Sequence, residues 1–303
     1  MASNDLISIK DWIRWGAAKL NQAGVFLGHG TDEVFSEARA LILHALCLPP
    51  DTPDFYLDSR ITKKEPQAIK DIIKLRIESR KPAAYLTNQA WFAGFEFYVD
   101  ERVLVPRSPI AELIENNFAP WLDFNKTQNI LDLCTGSACI AVALSYAFQH
   151  AAIDAADISD KALQVARINI DKHGLQEKIQ LFQSDLFNAL PAKKYDLIVS
   201  NPPYVDAEDL KNMPREFQHE PMIGLAGGMD GLLLVERIIK DSASYLKPHG
   251  ILVVEVGNSK QALIEKFPQL DFVWLEFNYG GEGVFLLKYQ QIREAFYDGN
   301  YNT

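Results

Sequence analysis

Four short stretches of this 303-residue chain each follow an apolar run and carry groups able to bind or react. The first is Asp132-Leu133-Cys134-Thr135-Gly136-Ser137-Ala138-Cys139. Small residues at 134, 136 and 138 let a ligand approach the backbone, and the helix expected next offers free N–H groups. Any tight strand-to-helix turn would also use a glycine here, and Ala138 stands where a third glycine is expected. The second stretch ends at Asp157. A carboxylate there can accept from both hydroxyls of a ribose, or simply sit near a helix start, where the macrodipole favours an acid. Ser159 is better placed to be that cap. The third holds Asp185, which can accept from an adenine amino group with Leu186 beside the ring, or cap the turn DLFNAL. The fourth is Ser200-Asn201-Pro202-Pro203-Tyr204. Its two prolines remove two backbone donors and fix two φ angles, so the turn relaxes into neither helix nor ladder. It holds a side-chain amide and an aromatic ring in a fixed relation.

These stretches need a scaffold, and the chain from Gln128 onward supplies one. Apolar runs (NILDLC, AAIDAADI, KIQLFQ, YDLIVS, GILVVEV) alternate with helical patterns, which predicts a parallel sheet covered by helices on both faces. FVWLEF, YGGEG and VFLLKY then read as an antiparallel pair joined by a glycine turn. A parallel α/β sheet closed by such a hairpin is the layout of class I methyltransferases, expected here as a mostly parallel seven-stranded sheet, and is unlike a dinucleotide-binding dehydrogenase. Ligands of open α/β sheets bind at the carboxyl ends of the strands, where all four stretches fall in order.

The expected domains are a helical unit over 1–88, a β-hairpin connector over 89–106 and the catalytic unit over 107–303. Ser8 can cap a first helix with Trp12, Ile13, Ala17 and Leu20 on one stripe, ended by Gly24. Thr31 or Asp32 can cap a second, with Phe35, Ala38, Leu41 and Ile42 inward. A third opens at Thr62, with Ile69, Ile72, Ile73 and Ile77 facing inward and its basic residues opposite. The connector turns at Asp100-Glu101.

Composition sets further bounds. Hydrophobic residues at 48% and charged residues at 23% are ordinary for a folded protein, and no apolar run is long enough to span a membrane. The amino terminus lacks the pattern of a secretory signal, so a cytoplasmic protein is expected. Three cysteines without zinc spacing and six scattered histidines point to neither a disulfide framework nor a metal site. A net charge of −10 disfavours broad contact with nucleic acid. The exception is 60–81, where eight basic residues face three acidic ones. That stretch reads as a solvated helix face or as a docking face for an RNA-bearing partner.

The ordered set of strand ends, with Phe97-Tyr98-Val99-Asp100-Glu101-Arg102-Val103-Leu104-Val105-Pro106-Arg107-Ser108-Pro109-Ile110-Ala111-Glu112-Leu113 before it, resembles the N5-glutamine methyltransferases, relatives of the release-factor glutamine methyltransferase. The likeness covers nearly the whole chain. It is greatest for the branch that modifies a glutamine of the third protein of the large ribosomal subunit. Release-factor enzymes usually carry P-R-P-[DE]-T-E where this chain has P-R-S-P-I-A-E. The resemblance implies S-adenosylmethionine as methyl donor, leaving as S-adenosylhomocysteine. It implies that Asp132, Cys134, Thr135, Gly136 and Ser137 cradle the methionine part, Asp157 and Ile158 the ribose, and Asp185 and Leu186 the adenine. It assigns the substrate amide to Asn201 and Pro202, flanked by Pro203 and Tyr204, with Asn201 also near the cofactor and Arg107 on the substrate side. Glu220-Pro221 and 227–231 match family segments to which no chemical role is assigned.

An amide nitrogen is a poor nucleophile because its lone pair is delocalised. Two N–H donors on one planar group need two acceptors at a fixed angle, which the Asn201 side-chain oxygen and the Pro202 carbonyl can supply. The same clamp suits an exocyclic amine of adenine or guanine, so a nucleic-acid methyltransferase is the rival reading, beside a release-factor enzyme and a non-catalytic binding module. The expected partner is a large-subunit ribosomal protein, free or within an assembly intermediate.

Overall fold

The computed structural model describes residues 6–297, so the outer domain limits at 1 and 303 lie outside the described residues. Ser8 caps α1 (Ile9–Gln22) in a reciprocal pair with Asp11, and Trp12, Ile13, Ala17 and Leu20 form its buried stripe. α2 (Val34–Ala45) begins after Glu33 rather than after Thr31 or Asp32, because the Thr31 hydroxyl accepts from the Glu33 amide in a turn outside the helix. Phe35, in the first turn of α2, is 57% exposed rather than inward, while Ala38, Leu41, Ile42 and Leu43 are buried. α3 (Glu65–Ser79) and α4 (Ala83–Thr87) complete the helical region, whose own core includes Trp12, Leu20, Leu41, Ile42, Ile69 and Ile73.

Four of the eight basic residues in 60–81 are committed to partners. Arg76 is fully buried, its guanidinium bonded to Glu37, to Glu216 and to the Phe26 carbonyl. Arg80 donates to the Gly24 and Ala23 carbonyls, Lys74 pairs with Glu78, and Lys81 pairs with Glu101. A long stem with a terminal charge reaches any acceptor nearby, so counting charges along the chain overstated the free positive surface.

A two-residue turn joins β1 (Ala90–Phe92) to β2 (Phe95–Phe97), placing the hairpin turn at Ala93-Gly94 and not at Asp100-Glu101. Both turn residues have positive φ, 48° and 79°, the backbone that matches the twist of a tight hairpin. Asp100 instead closes a local turn, accepting from the Arg102 amide and side chain.

α5 (Ile110–Glu115) leads into the main sheet and its helices: β3 (Asn129–Leu133), α6 (Cys139–Ala147), β4 (Ala152–Asp157), α7 (Asp160–Lys172), β5 (Ile179–Gln183) and β6 (Tyr195–Ser200). Then come α8 (Ala207–Asn212), α9 (Met222–Leu225), α10 (Leu233–Ser242), β7 (Leu246–Glu255), α11 (Lys260–Lys266), β8 (Val273–Trp274), β9 (Val284–Lys288) and α12 (Tyr289–Phe296). The strands lie in the order β5-β4-β3-β6-β7-β9-β8. β3 to β7 run parallel, and β9 is antiparallel to both neighbours.

Alternate residues of each central strand enter opposite cores. Ile130, Leu197, Val199, Ile251 and Val253 pack on one face, and Leu131, Ile198, Leu252 and Val254 on the other. Strands covered on both sides carry few polar residues, so an acid among them needs an explanation. No described helix is long and apolar enough to cross a membrane.

Candidate active site

Three aspartates lie buried within the central strands. Asp154 accepts from the Tyr195 hydroxyl and from Lys193, and Asp196 from the Gln128 and Asn129 amides, Lys247 and His249. Asp132, at the carboxyl end of β3, is different. The Thr135 hydroxyl donates to its Oδ2 at 2.5 Å, while Oδ1 has no partner among the described residues. Burial pushes its carboxyl up to about 7, with the Thr135 hydrogen bond and a weaker pull from the Ala141 amide opposing. An unsatisfied carboxylate oxygen in a core is costly to keep, and here it sits under the turn that borders the cleft.

That turn carries three departures from ordinary backbone, at alternate positions. Cys134, Gly136 and Ala138 have φ of 59°, 54° and 64°. A Cβ on Gly136 would meet nothing within 4 Å, so its backbone borders open cleft rather than packed chain. Ala138 adopts the left-handed conformation expected of a third glycine and tolerates it as the N-cap of α6. The Gly136 amide donates to Asp157 Oδ2 at 2.9 Å, and the Ser159 amide to Oδ1 at 2.9 Å. Ser159, not Asp157, caps α7 through the Ala162 amide. Burial raises the Asp157 pKa, and these two amides oppose it.

Asp185 follows β5. It does not cap DLFNAL; the Ser184 hydroxyl takes that role by accepting from the Ala189 amide at 2.9 Å. The Asp185 carboxylate instead accepts from Arg237 of α10 at 2.8 Å and from Asn188 at 3.3 Å. Leu186 beside it is buried with φ of 51°, and Ile158 is 52% exposed at the cleft.

At the end of β6, Pro202 and Pro203 are buried and Asn201 is half-buried. Tyr204 donates its hydroxyl to Glu255 Oε1 at 2.8 Å. Three glycines enclose this residue. A Cβ on Gly227 would come within 2.7 Å of the Tyr204 Cα, one on Gly257 within 2.6 Å of its ring, and one on Gly231 would overlap its carbonyl oxygen. The glycine segment 227–231 thus seats the turn. Burial raises the Tyr204 pKa, reinforced by the Glu255 carboxylate, so its hydroxyl stays protonated.

Arg107 is held by Glu220 through two bonds of 2.6 and 2.7 Å, and Glu220 also accepts from the Val105 amide at 3.0 Å. Although burial opposes it, contacts with His29 and Arg107 hold the Glu220 carboxyl down to about 2. Four residues earlier, Glu216 accepts from the Phe26 amide, Arg76 and Arg80 of the helical region. The segment after the Asn-Pro-Pro-Tyr turn is therefore pinned at both ends, with Phe217 between them on the cleft wall.

All the sequence-predicted residues, apart from the buried Asp132 beneath it, line one cleft of about 1030 Å³. Sequence reasoning missed Glu255, Ser108, Gly257 and Arg237. A charged residue inside the otherwise apolar run LVVEV was the available signal for Glu255; nothing local marked Arg237. The site suits an adenosine-bearing cation. Two carboxylates, Asp157 and Asp185, line the cleft at successive strand ends, and the positive-φ turn keeps side chains out of the way. The cleft is at the upper end of small-molecule pockets, with room for a cofactor and a side chain together.

A seven-stranded sheet in this order, reversed only at β9 and opening its cleft at the carboxyl ends, is the fold of class I methyltransferases. Residues 115–220 match the family model described as methyltransferase small domain. A ribosomal protein uL3 glutamine methyltransferase of Francisella tularensis subsp. tularensis is 47% identical over 297 residues, covering 97% of this chain and 95% of that protein. Its counterpart in Neisseria gonorrhoeae is 47% identical over 293 residues, covering 96% and 97%. Among solved structures, the hMettl16 catalytic domain in complex with the MAT2A 3′UTR hairpin 6 shares the fold, with a TM-score of 0.50 and 16% identity over 75% of this chain and 82% of that one. The chain belongs to the family of the ribosomal protein uL3 glutamine methyltransferases.

Proposed function

We propose that this chain transfers the methyl group of S-adenosylmethionine to the side-chain amide nitrogen of a glutamine in ribosomal protein uL3. The observation that carries the reading is the Asn-Pro-Pro-Tyr turn, seated on glycines and opening into the cleft that the strand-end acids share. Likeness to uL3 glutamine methyltransferases over almost the full length selects the substrate.

S-adenosylmethionine, when bound, supplies a methyl group on a sulfonium. Asp132 and the turn at 134–137 hold its methionine part, Asp157 with Ile158 its ribose, and Asp185 with Leu186 its adenine. The Asn201 side-chain oxygen and the Pro202 carbonyl accept the two N–H groups of the substrate amide. Each bond pushes electron density onto the nitrogen and strengthens as attack proceeds, so the clamp favours the transition state over the bound substrate. Pro202 and Pro203 keep both acceptors rigid, which limits reorganisation during reaction. Tyr204 closes one side and excludes water. Its raised pKa makes it no base at neutral pH, and the methylated amide releases its proton to solvent.

Recognition of the substrate protein falls to the helical region 1–88, joined to the cleft wall by the buried Arg76–Glu216 pair, with Arg107 bracing that wall through Glu220. Methyl transfer from radiolabelled S-adenosylmethionine to uL3, to release factor and to DNA tests the reading. Label confined to a glutamine of uL3 supports it, and label in release factor or DNA alone overturns it.

A further inference from the structure

We propose that Glu255 is the positioning residue of the substrate clamp, fixing Tyr204 and, through it, the planar amide held by Asn201 and Pro202. The inference rests on the glutamine-methyltransferase reading and adds to it a residue outside the Asn-Pro-Pro-Tyr turn.

Glu255 is the last residue of β7, its backbone paired with Val284 of β9, so its position is set by the sheet. The residue is 5% exposed in a strand end that is otherwise apolar. A buried carboxylate normally takes a cation as partner. The nearby guanidinium of Arg107 is instead occupied by both oxygens of Glu220. Glu255 takes two hydroxyls: Tyr204 donates to Oε1 at 2.8 Å and Ser108 to Oε2 at 2.5 Å. Ser108 Oγ also accepts from the Ile110 amide, which turns its one O–H toward Glu255. Burial raises the Glu255 pKa, with the two hydroxyls opposing.

The consequence is geometric. The Tyr204 ring lies against Gly257, two residues beyond Glu255, and its main chain lies against Gly227 and Gly231. Backbone contacts fix one end of the residue, and the Glu255 bond fixes the far end of the ring. Tyr204 stands two residues after Pro202, so a ring free to tilt would loosen the cover over the clamp. The sheet thereby aligns the cover with the acceptors. A purely structural acid would be dispensable to turnover once the chain is folded.

The test is a double-mutant cycle on single-turnover methyl transfer to uL3, using Glu255→Met, Tyr204→Phe and both together. S-adenosylhomocysteine affinity is measured by calorimetry in parallel. The expected result is a loss of about tenfold or more in rate for each single variant and no further loss in the double. Glu255→Gln, which keeps an acceptor for the tyrosine, should recover most of the rate, and cofactor affinity should stay within about twofold. Losses that multiply, or a Glu255→Gln variant as slow as Glu255→Met, overturn the proposal. If Glu255→Met does not fold, Ser108→Ala and Ser108→Thr decide. Ser108→Ala should slow turnover without adding to Tyr204→Phe, and Ser108→Thr should restore it; additive loss overturns the assignment. Wild-type protein unable to methylate uL3 would defeat the functional reading instead, which separates the two failures.

Discussion

Replacing Asp132 by Asn should make the ligand-free protein more stable at pH 8 while removing its hold on the cofactor. Burial raises the Asp132 pKa from 3.8 to about 7. Between those values the folded chain binds the proton that the unfolded chain has lost. Stability therefore falls as pH rises through that window and stays low above it. At about 1.36 kcal/mol per unit, the ionised carboxylate costs about 4 kcal/mol at pH 8. Asparagine does not titrate, but it leaves a buried amide without a partner, a penalty of about 1–3 kcal/mol. The variant should thus gain about 1–3 kcal/mol at pH 8 and lose a similar amount near pH 4. Urea unfolding of both proteins across this range isolates the effect, because other titrations cancel in the difference. A stability difference independent of pH would refute the argument. So would undiminished S-adenosylhomocysteine binding by the variant, since the strain is explained only if the carboxylate serves the ligand.

Asp157→Ala should weaken S-adenosylmethionine by about 1.5–3 kcal/mol for each charge-assisted bond lost, read by calorimetry; equal affinity removes Asp157 from the site. Asn201→Ala should lower kcat by about 10² or more with cofactor affinity unchanged, because the lost bond tightens only during attack. Gly231→Ala forces a Cβ into the Tyr204 carbonyl at a backbone φ of 74°, so it should slow methyl transfer while leaving the cofactor acids untouched. Single-turnover rates beside calorimetric affinities check it, and a wild-type rate contradicts the seating assigned to 227–231.

The seven strands and the row of strand ends were legible because buried parallel strands read as apolar runs and ligands gather where they stop. Asp132, Asp157 and Asn201 all fall where that rule puts them. What was hidden depends on contacts between distant segments. Glu255 meets Ser108 across 147 positions, and Glu216 meets Arg76 across 140, and no local pattern encodes either meeting. Arg76 was counted with the basic face of α3, although its spacing puts it in step with the inward Ile69, Ile72 and Ile73, and it is fully buried. Phe35 went the other way. It has the i, i+3, i+7 spacing of the inward stripe with Ala38 and Ile42, yet in the first turn of α2 it is left exposed.

The central claim is that the Asn-Pro-Pro-Tyr turn holds a glutamine amide of uL3 for methylation. Its most direct test is single-turnover transfer from saturating radiolabelled S-adenosylmethionine to intact uL3, followed by mapping of the labelled residue, with wild type and Asn201→Ala side by side. The account predicts label on one glutamine side-chain nitrogen in the wild type, formed at least about 100-fold more slowly in the variant at equal cofactor occupancy. Label on another residue type, or the same rate from Asn201→Ala, would contradict it.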